Sequence, residues 1–152
     1  MQKWLMKSEP GEFSIDDLKA SHKQTNMWDG VRNYQARNFI RDGMEKGDLA
    51  FFYHSNCDEP GIVGIMEVVK EAYPDPTALD PDDKHFDSKS DPDEPRWFAV
   101  DLKFKRKLGR TIGLAELKRH ERLAEMQLLK RGNRLSVLPI GESEWDFIVA
   151  LE

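Results

Sequence analysis

Four short segments hold most of the side chains in this sequence that could do chemistry. The first runs Trp28-Asp29-Gly30-Val31-Arg32-Asn33-Tyr34-Gln35-Ala36-Arg37-Asn38. It sets a large aromatic, a glycine, an arginine and an asparagine just before a helix start. Free N–H groups and the positive dipole end at such a start suit an anionic or acceptor-rich ligand. Trp28 can stack on a planar ring, Arg32 can pair with a phosphate, and Asn33 can hydrogen-bond a base edge. The same residues also fit a structural role, with Trp28 in the core, Asn33 as a helix cap and Arg32 paired to an acid.

The second segment, His54-Ser55-Asn56-Cys57, places small polar side chains at a strand end after Phe51-Phe52. A cysteine–histidine nucleophile needs a third group to hold the base, and no orienting carboxylate is identifiable here. One cysteine and four scattered histidines do not supply the spaced ligands of a zinc site. Neither a catalytic nucleophile nor a metal is therefore expected. The third segment is Lys7-Ser8-Glu9. Alternation along a strand turns Lys7 and Ser8 to opposite faces, so both reach one site only if the chain bends at Ser8, as Pro10 allows. In the fourth, Arg134-Leu135-Ser136-Val137, Ser136 is the odd polar residue of an apolar run. It either bonds to backbone or faces a pocket.

The elements that must position these residues follow from periodicity. Gln2–Lys7 alternates as a strand, and Glu9-Pro10-Gly11 ends it. Ser14 and Asp17 read as the start of a short helix through Lys19. Asn33–Met44 has helical spacing at Ala36, Phe39, Ile40 and Met44, with Arg37 and Arg41 on the polar side. Strands are expected over Leu49–Ser55, Ile62–Val69, Trp97–Lys107 and Arg134–Ile140. Gly64 inside the second of these marks a bulge or a close approach. Short helices are expected over Leu114–Lys118, Glu121–Leu129 and Glu142–Leu151. The proline- and acid-rich stretch Tyr73–Pro95 is expected to be a long loop without regular structure. Four or five strands with short helices between them give an α+β chain, a small mixed barrel or curled sheet.

A length of 152 residues fits one domain, 1–152. No signal peptide or membrane-spanning run is expected, and a single cysteine suits the reducing cytoplasm. The net charge of −5 argues against a generic polyanion binder. Its distribution says more. Glu71–Pro95 holds nine acids and two lysines, whereas Arg96–Arg134 holds twelve basic residues and four acids. A basic face and a separate acidic loop are expected.

Taken together, these segments resemble the EVE domain of the PUA-like superfamily. The resemblance rests on Trp4-Leu5-Met6-Lys7-Ser8-Glu9-Pro10, on Trp28 to Tyr34 with Ala36-Arg37-Asn38, on Phe51-Phe52-Tyr53-His54-Ser55, on Pro60-Gly61-Ile62-Val63-Gly64, on Tyr73-Pro74-Asp75-Pro76 and on Arg134-Leu135-Ser136-Val137. It implies a PUA-like mixed β-barrel with flanking short helices, and non-catalytic binding of a modified nucleic-acid base, such as a modified cytosine in DNA or RNA. By the same resemblance Trp28 is a cage aromatic, with Trp97 as the candidate for a second. Lys7, Ser8, Arg32, Asn33, His54, Ser55 and Ser136 complete the base pocket. Phosphates flanking the base are expected to meet Arg32, Arg37 and Arg41, or else the basic run Lys103, Lys105, Arg106 and Lys107. No metal, cofactor or membrane enters this reading. The rival is an amidohydrolase-like enzyme acting on a modified base or nucleoside through Lys7 and Glu9. In that case Glu9 is expected to raise the pKa of Lys7 and oppose its use as a base. A third alternative is a protein-interaction module built on the acidic loop.

Overall fold

The computed structural model describes all residues from Met1 to Glu152. β1 (Lys3–Ser8) has Trp4, Leu5 and Met6 all buried. A strand apolar on both faces belongs inside a sheet. β1 accordingly lies between two partners, β3 (Leu49–His54) in parallel and β6 (Val137–Ile140) antiparallel. Two long strands, β4 (Gly61–Pro74) and β5 (Phe98–Gly113), continue the sheet beyond β3. A short strand, β2 (Thr25–Trp28), pairs with β5, and the spatial order is β2-β5-β4-β3-β1-β6. β2 was not expected from the sequence.

The closed barrel expected by resemblance is corrected to an open six-stranded sheet, because β2 and β6 are free edges. The sheet is nevertheless strongly curled. Trp28 on β2 and Phe52 on β3 bring their ring centroids to 5.3 Å. In a flat sheet the two strands would stand about 14 Å apart, three inter-strand steps. Register shifts along the β4–β5 ladder supply the bend. The β3–β4 ladder also shifts at Phe52/Tyr53, opposite Gly64. A side chain at Gly64 would put its Cβ 2.6 Å from Ile15 Cδ1, so this glycine is a close approach.

Ile15 belongs to α1 (Ile15–Ala20), started by a Ser14–Asp17 capping box. α2 (Tyr34–Asn38) widens into a π turn over Phe39–Gly43, so the helix expected over Asn33–Met44 is present but not uniform. The helix expected over Glu121–Leu129 resolves into two 3-10 turns, Glu121–Leu123 and Gln127–Leu129. α3 (Leu114–Leu117) and α4 (Glu142–Ala150) match expectation closely. The buried apolar side chains of all these elements form one continuous cluster.

The stretch after β4 is not featureless. It opens with a 3-10 turn, Pro76–Leu79. Asp80, Asp83, Asp87 and Asp91 then each accept the backbone N–H two residues on. These are Asx turns, in which the aspartates shape the backbone as well as solvate it. Trp97 Nε1 donates to Asp87 at 2.7 Å and ties the loop to the sheet.

Candidate functional site

β1 and β3 run parallel, so their C-terminal ends meet at one edge of the sheet, with Ser8 beside His54. Two backbone bonds extend the meeting point. Ser55 N–H donates to Ser8 O at 3.0 Å, and Lys7 N–H donates to Ser136 O at 2.8 Å. Lys7, Ser8, Ser55 and Ser136 are thereby gathered on one floor. Across from them stand the end of β2 and its turn, Trp28 to Val31. Between the two lies a cleft of about 750 Å³. Its remaining walls come from Glu9, Glu12, Phe13, Asn26, Met27, the 83–85 segment and Arg134.

Trp28 is 7% exposed and packs edge-on against Phe52, so it is at once a core residue and a cleft wall. Phe13 is the second aromatic of the cleft and also lies against Phe52, at 6.4 Å. Trp97, the candidate named for that part, is elsewhere. It stacks on Tyr34 at 4.9 Å and faces the Arg32 guanidinium at 5.6 Å.

Five of the eight base-pocket residues named from the sequence line the cleft: Lys7, Ser8, Trp28, Ser55 and Ser136. Arg32, Asn33 and His54 do not line it. Arg32 pairs with Asp75 at 2.9 Å and donates to Thr77 Oγ1 and His85 O. Burial pushes the Asp75 carboxyl up, but hydrogen bonds from Thr77, the Gly30 amide and Arg32 outweigh that and hold it below the usual range. Asn33 Oδ1 accepts from Ala36 N–H at 3.0 Å and caps α2. His54 Nε2 accepts from Ile15 N–H at 3.1 Å. Arg37 donates to Arg96 O at 2.8 Å, and Arg41 pairs with Asp42 at 2.8 Å. Neither arginine lines the cleft.

The electrostatics of the cleft are mixed. Lys7 makes no ion pair; its ammonium sits 5.8 Å from the Tyr53 ring, and burial lowers its pKa. The upward pull expected from Glu9 is not found, since burial alone sets the direction of the Lys7 shift; Glu9 itself accepts from Asn56 Nδ2. Glu12 pairs with Lys84 at the mouth. Burial, with the charges of Asp75 and Asp83 adding to it, raises the pKa of Asp29. Asp29, Asp83 and His85 bring potential ligand atoms within 4.8 Å of one another. Asp83 and His85, with Glu12, Phe13, Asn26, Met27 and Lys84, are cleft residues that sequence reasoning missed, and Asp29 was quoted there without a role. Only Asp29, next to Trp28, carried a local signal.

The EVE domain family model matches residues 2–151. Human thymocyte nuclear protein 1 is 51% identical over 166 residues, spanning 98% of this chain and 73% of that protein. A crystal structure of a Pseudomonas syringae protein superposes with a TM-score of 0.94 at 51% identity, covering 98% of each chain. Human THYN1, solved in complex with DNA containing 5-methylcytosine, superposes with a TM-score of 0.93 at 48% identity, covering 99% of this chain and 97% of that one. Sequence, motif order and backbone agree over nearly the whole length, and the chain belongs to the EVE domain family.

Proposed function

We propose that residues 1–152 act as one domain that binds nucleic acid carrying a modified cytosine, without catalysing its conversion. The observation that carries this reading is the cleft itself, which unites an aromatic wall with a floor of hydrogen-bonding side chains in a chain so similar to human THYN1. A modified base must leave its stack to be read in this way, and the pocket then combines a π-face with edge hydrogen bonds. In this reading Trp28 and Phe13 form the aromatic wall, and Lys7, Ser8, Ser55 and Ser136 meet the base edge. Arg32, Asn33 and His54 serve by fixing the walls. Phosphates meet Arg134 at the rim, with Arg37 and Arg41 as the rival track. DNA is the partner most in keeping with the THYN1 complex, and RNA is the second arm of the test. The lone Cys57 fits a reducing compartment, which we take to be the cytoplasm.

The test is a fluorescence anisotropy titration of the chain against duplexes that differ at one central pair, 5-methylcytosine·G or cytosine·G. The expected result is at least severalfold tighter binding of the methylated duplex. Equal affinity would overturn the reading. One observation favours the amidohydrolase alternative: burial lowers the pKa of a cleft lysine, as base catalysis requires. Release of product from a panel of modified nucleosides would establish that alternative. Thermal stabilisation by a ligand that is not consumed supports binding.

A further inference from the structure

We propose that Asp29 reads the exocyclic amine of the bound cytosine ring and so separates 5-methylcytosine from thymine. This rests on the base-binding reading above. The two bases share a ring and a 5-methyl group. They differ at position 4, where cytosine presents an amine donor and thymine a carbonyl acceptor. A pocket that selects between them needs a group that can only accept.

The floor does not supply one. Serine hydroxyls at 8, 55 and 136 donate or accept as required, and Lys7 only donates. Among the side chains of the lining, the carboxylates are the ones that accept without donating, and most are committed. Glu9 accepts from Asn56 Nδ2, Glu12 is paired with Lys84, and Asp83 accepts from His85 N–H at 2.7 Å. Asp75 does not line the cleft and is bound to Arg32, Thr77 and the Gly30 amide.

Asp29 differs from all of these. Its carboxylate is engaged by its own backbone amide, and the basic side chain beside it is His85, with Nδ1 at 3.9 Å. It lines the cleft, its side chain is 31% exposed, and it follows the aromatic wall residue Trp28. Burial beside two further aspartates leaves its charge under-compensated. An amine donor from a stacked base would satisfy it. A thymine carbonyl at the same point would set lone pairs against lone pairs, which desolvation makes unfavourable.

The experiment titrates the wild-type chain and Asp29→Asn against duplexes with a central 5-methylcytosine·G, thymine·G or 5-methyl-2-pyrimidinone·G pair. The last base keeps the methyl group and lacks the amine. The mismatch makes thymine easier to extrude, so any preference for 5-methylcytosine is won against that bias. Wild type is expected to bind 5-methylcytosine about tenfold or more tightly than either of the others. Asp29→Asn, whose amide can also donate, is expected to narrow both gaps to about twofold. A variant that keeps the wild-type preference overturns the proposal. Should the variant melt early, the amine-less base still decides on wild-type protein, because equal binding there overturns the proposal outright. Equal binding of the 5-methylcytosine·G duplex and an added cytosine·G duplex by the wild-type chain would instead sink the base-modification reading, and the amine comparison would remain a separate result.

Discussion

At His54, chemistry that looked available to a ligand is spent on the fold. Its Nε2 accepts the Ile15 amide at the start of α1, so the imidazole must be unprotonated at that nitrogen. Burial lowers its pKa, with nearby acids pulling weakly the other way. The unfolded chain then binds a proton more readily than the folded one. Stability should fall as pH drops below the unfolded value of about 6.5 and level off beneath the lower folded value. Replacing His54 with Gln keeps an acceptor but removes the titration. The wild-type melting temperature should therefore drop more between pH 7 and pH 5 than that of His54→Gln. Parallel curves would show that another group governs acid sensitivity. The same substitution should leave nucleic-acid affinity at neutral pH nearly unchanged, as a residue that does not line the cleft requires.

Among the elements, the turn after β2 is the one on which the cleft depends. Gly30 has φ +77, and a Cβ there would stand 2.6 Å from His85 Nε2. Gly30→Ala should cost about 1–2 kcal/mol for the left-handed backbone. It should also push His85 off the turn. Because His85 O holds Arg32, and Asp29 is adjacent, the wall should shift and binding of the methylated duplex should weaken while the chain still melts cooperatively. Unchanged affinity would show that this wall does not touch the base. The elements themselves were legible in the sequence to different degrees. α1 announced itself through Ser14 and Asp17, and β1, β3 and β4 through alternation or β-branched runs. β2 did not, because Thr25-Asn26-Met27-Trp28 is too short and polar to show a period. The acidic stretch read as unstructured because charge hides Asx turns, whose partners are backbone amides two residues on. The cleft was legible where local segments carried it, at Lys7, Ser8, Trp28, Ser55 and Ser136. His85 and Asp83 reach it from over fifty residues beyond Trp28, through a tertiary contact that no local pattern encodes.

Over the whole molecule, the proposed function asks a chain of net charge −5 to hold a polyanion. The basic strand β5 offers less than its composition promised. Lys105 pairs with Glu67, Arg106 with Glu152, Lys107 with Asp16 and Arg110 with Glu116. Arg41 is paired with Asp42, and Arg37 is held by the Arg96 carbonyl. Of the three cations that line the cleft, Lys84 is paired with Glu12, Lys7 is half-buried, and Arg134 makes no ion pair. Arg134 is thus the cleft cation best placed to take a phosphate as the base enters. A phosphate contact releases counterions, and each contributes about 0.9 to the slope of log K against log salt on duplex DNA. Arg134→Gln should flatten that slope by up to this amount. It should weaken methylated and unmethylated duplexes by similar factors, because a phosphate contact carries no base information. The Arg37→Gln, Arg41→Gln double variant should leave the slope nearly unchanged, since both guanidinium groups are already engaged within the protein. If the double variant flattens the slope and Arg134→Gln does not, the backbone runs along the outer side of α2. The cleft would then be entered from the opposite rim.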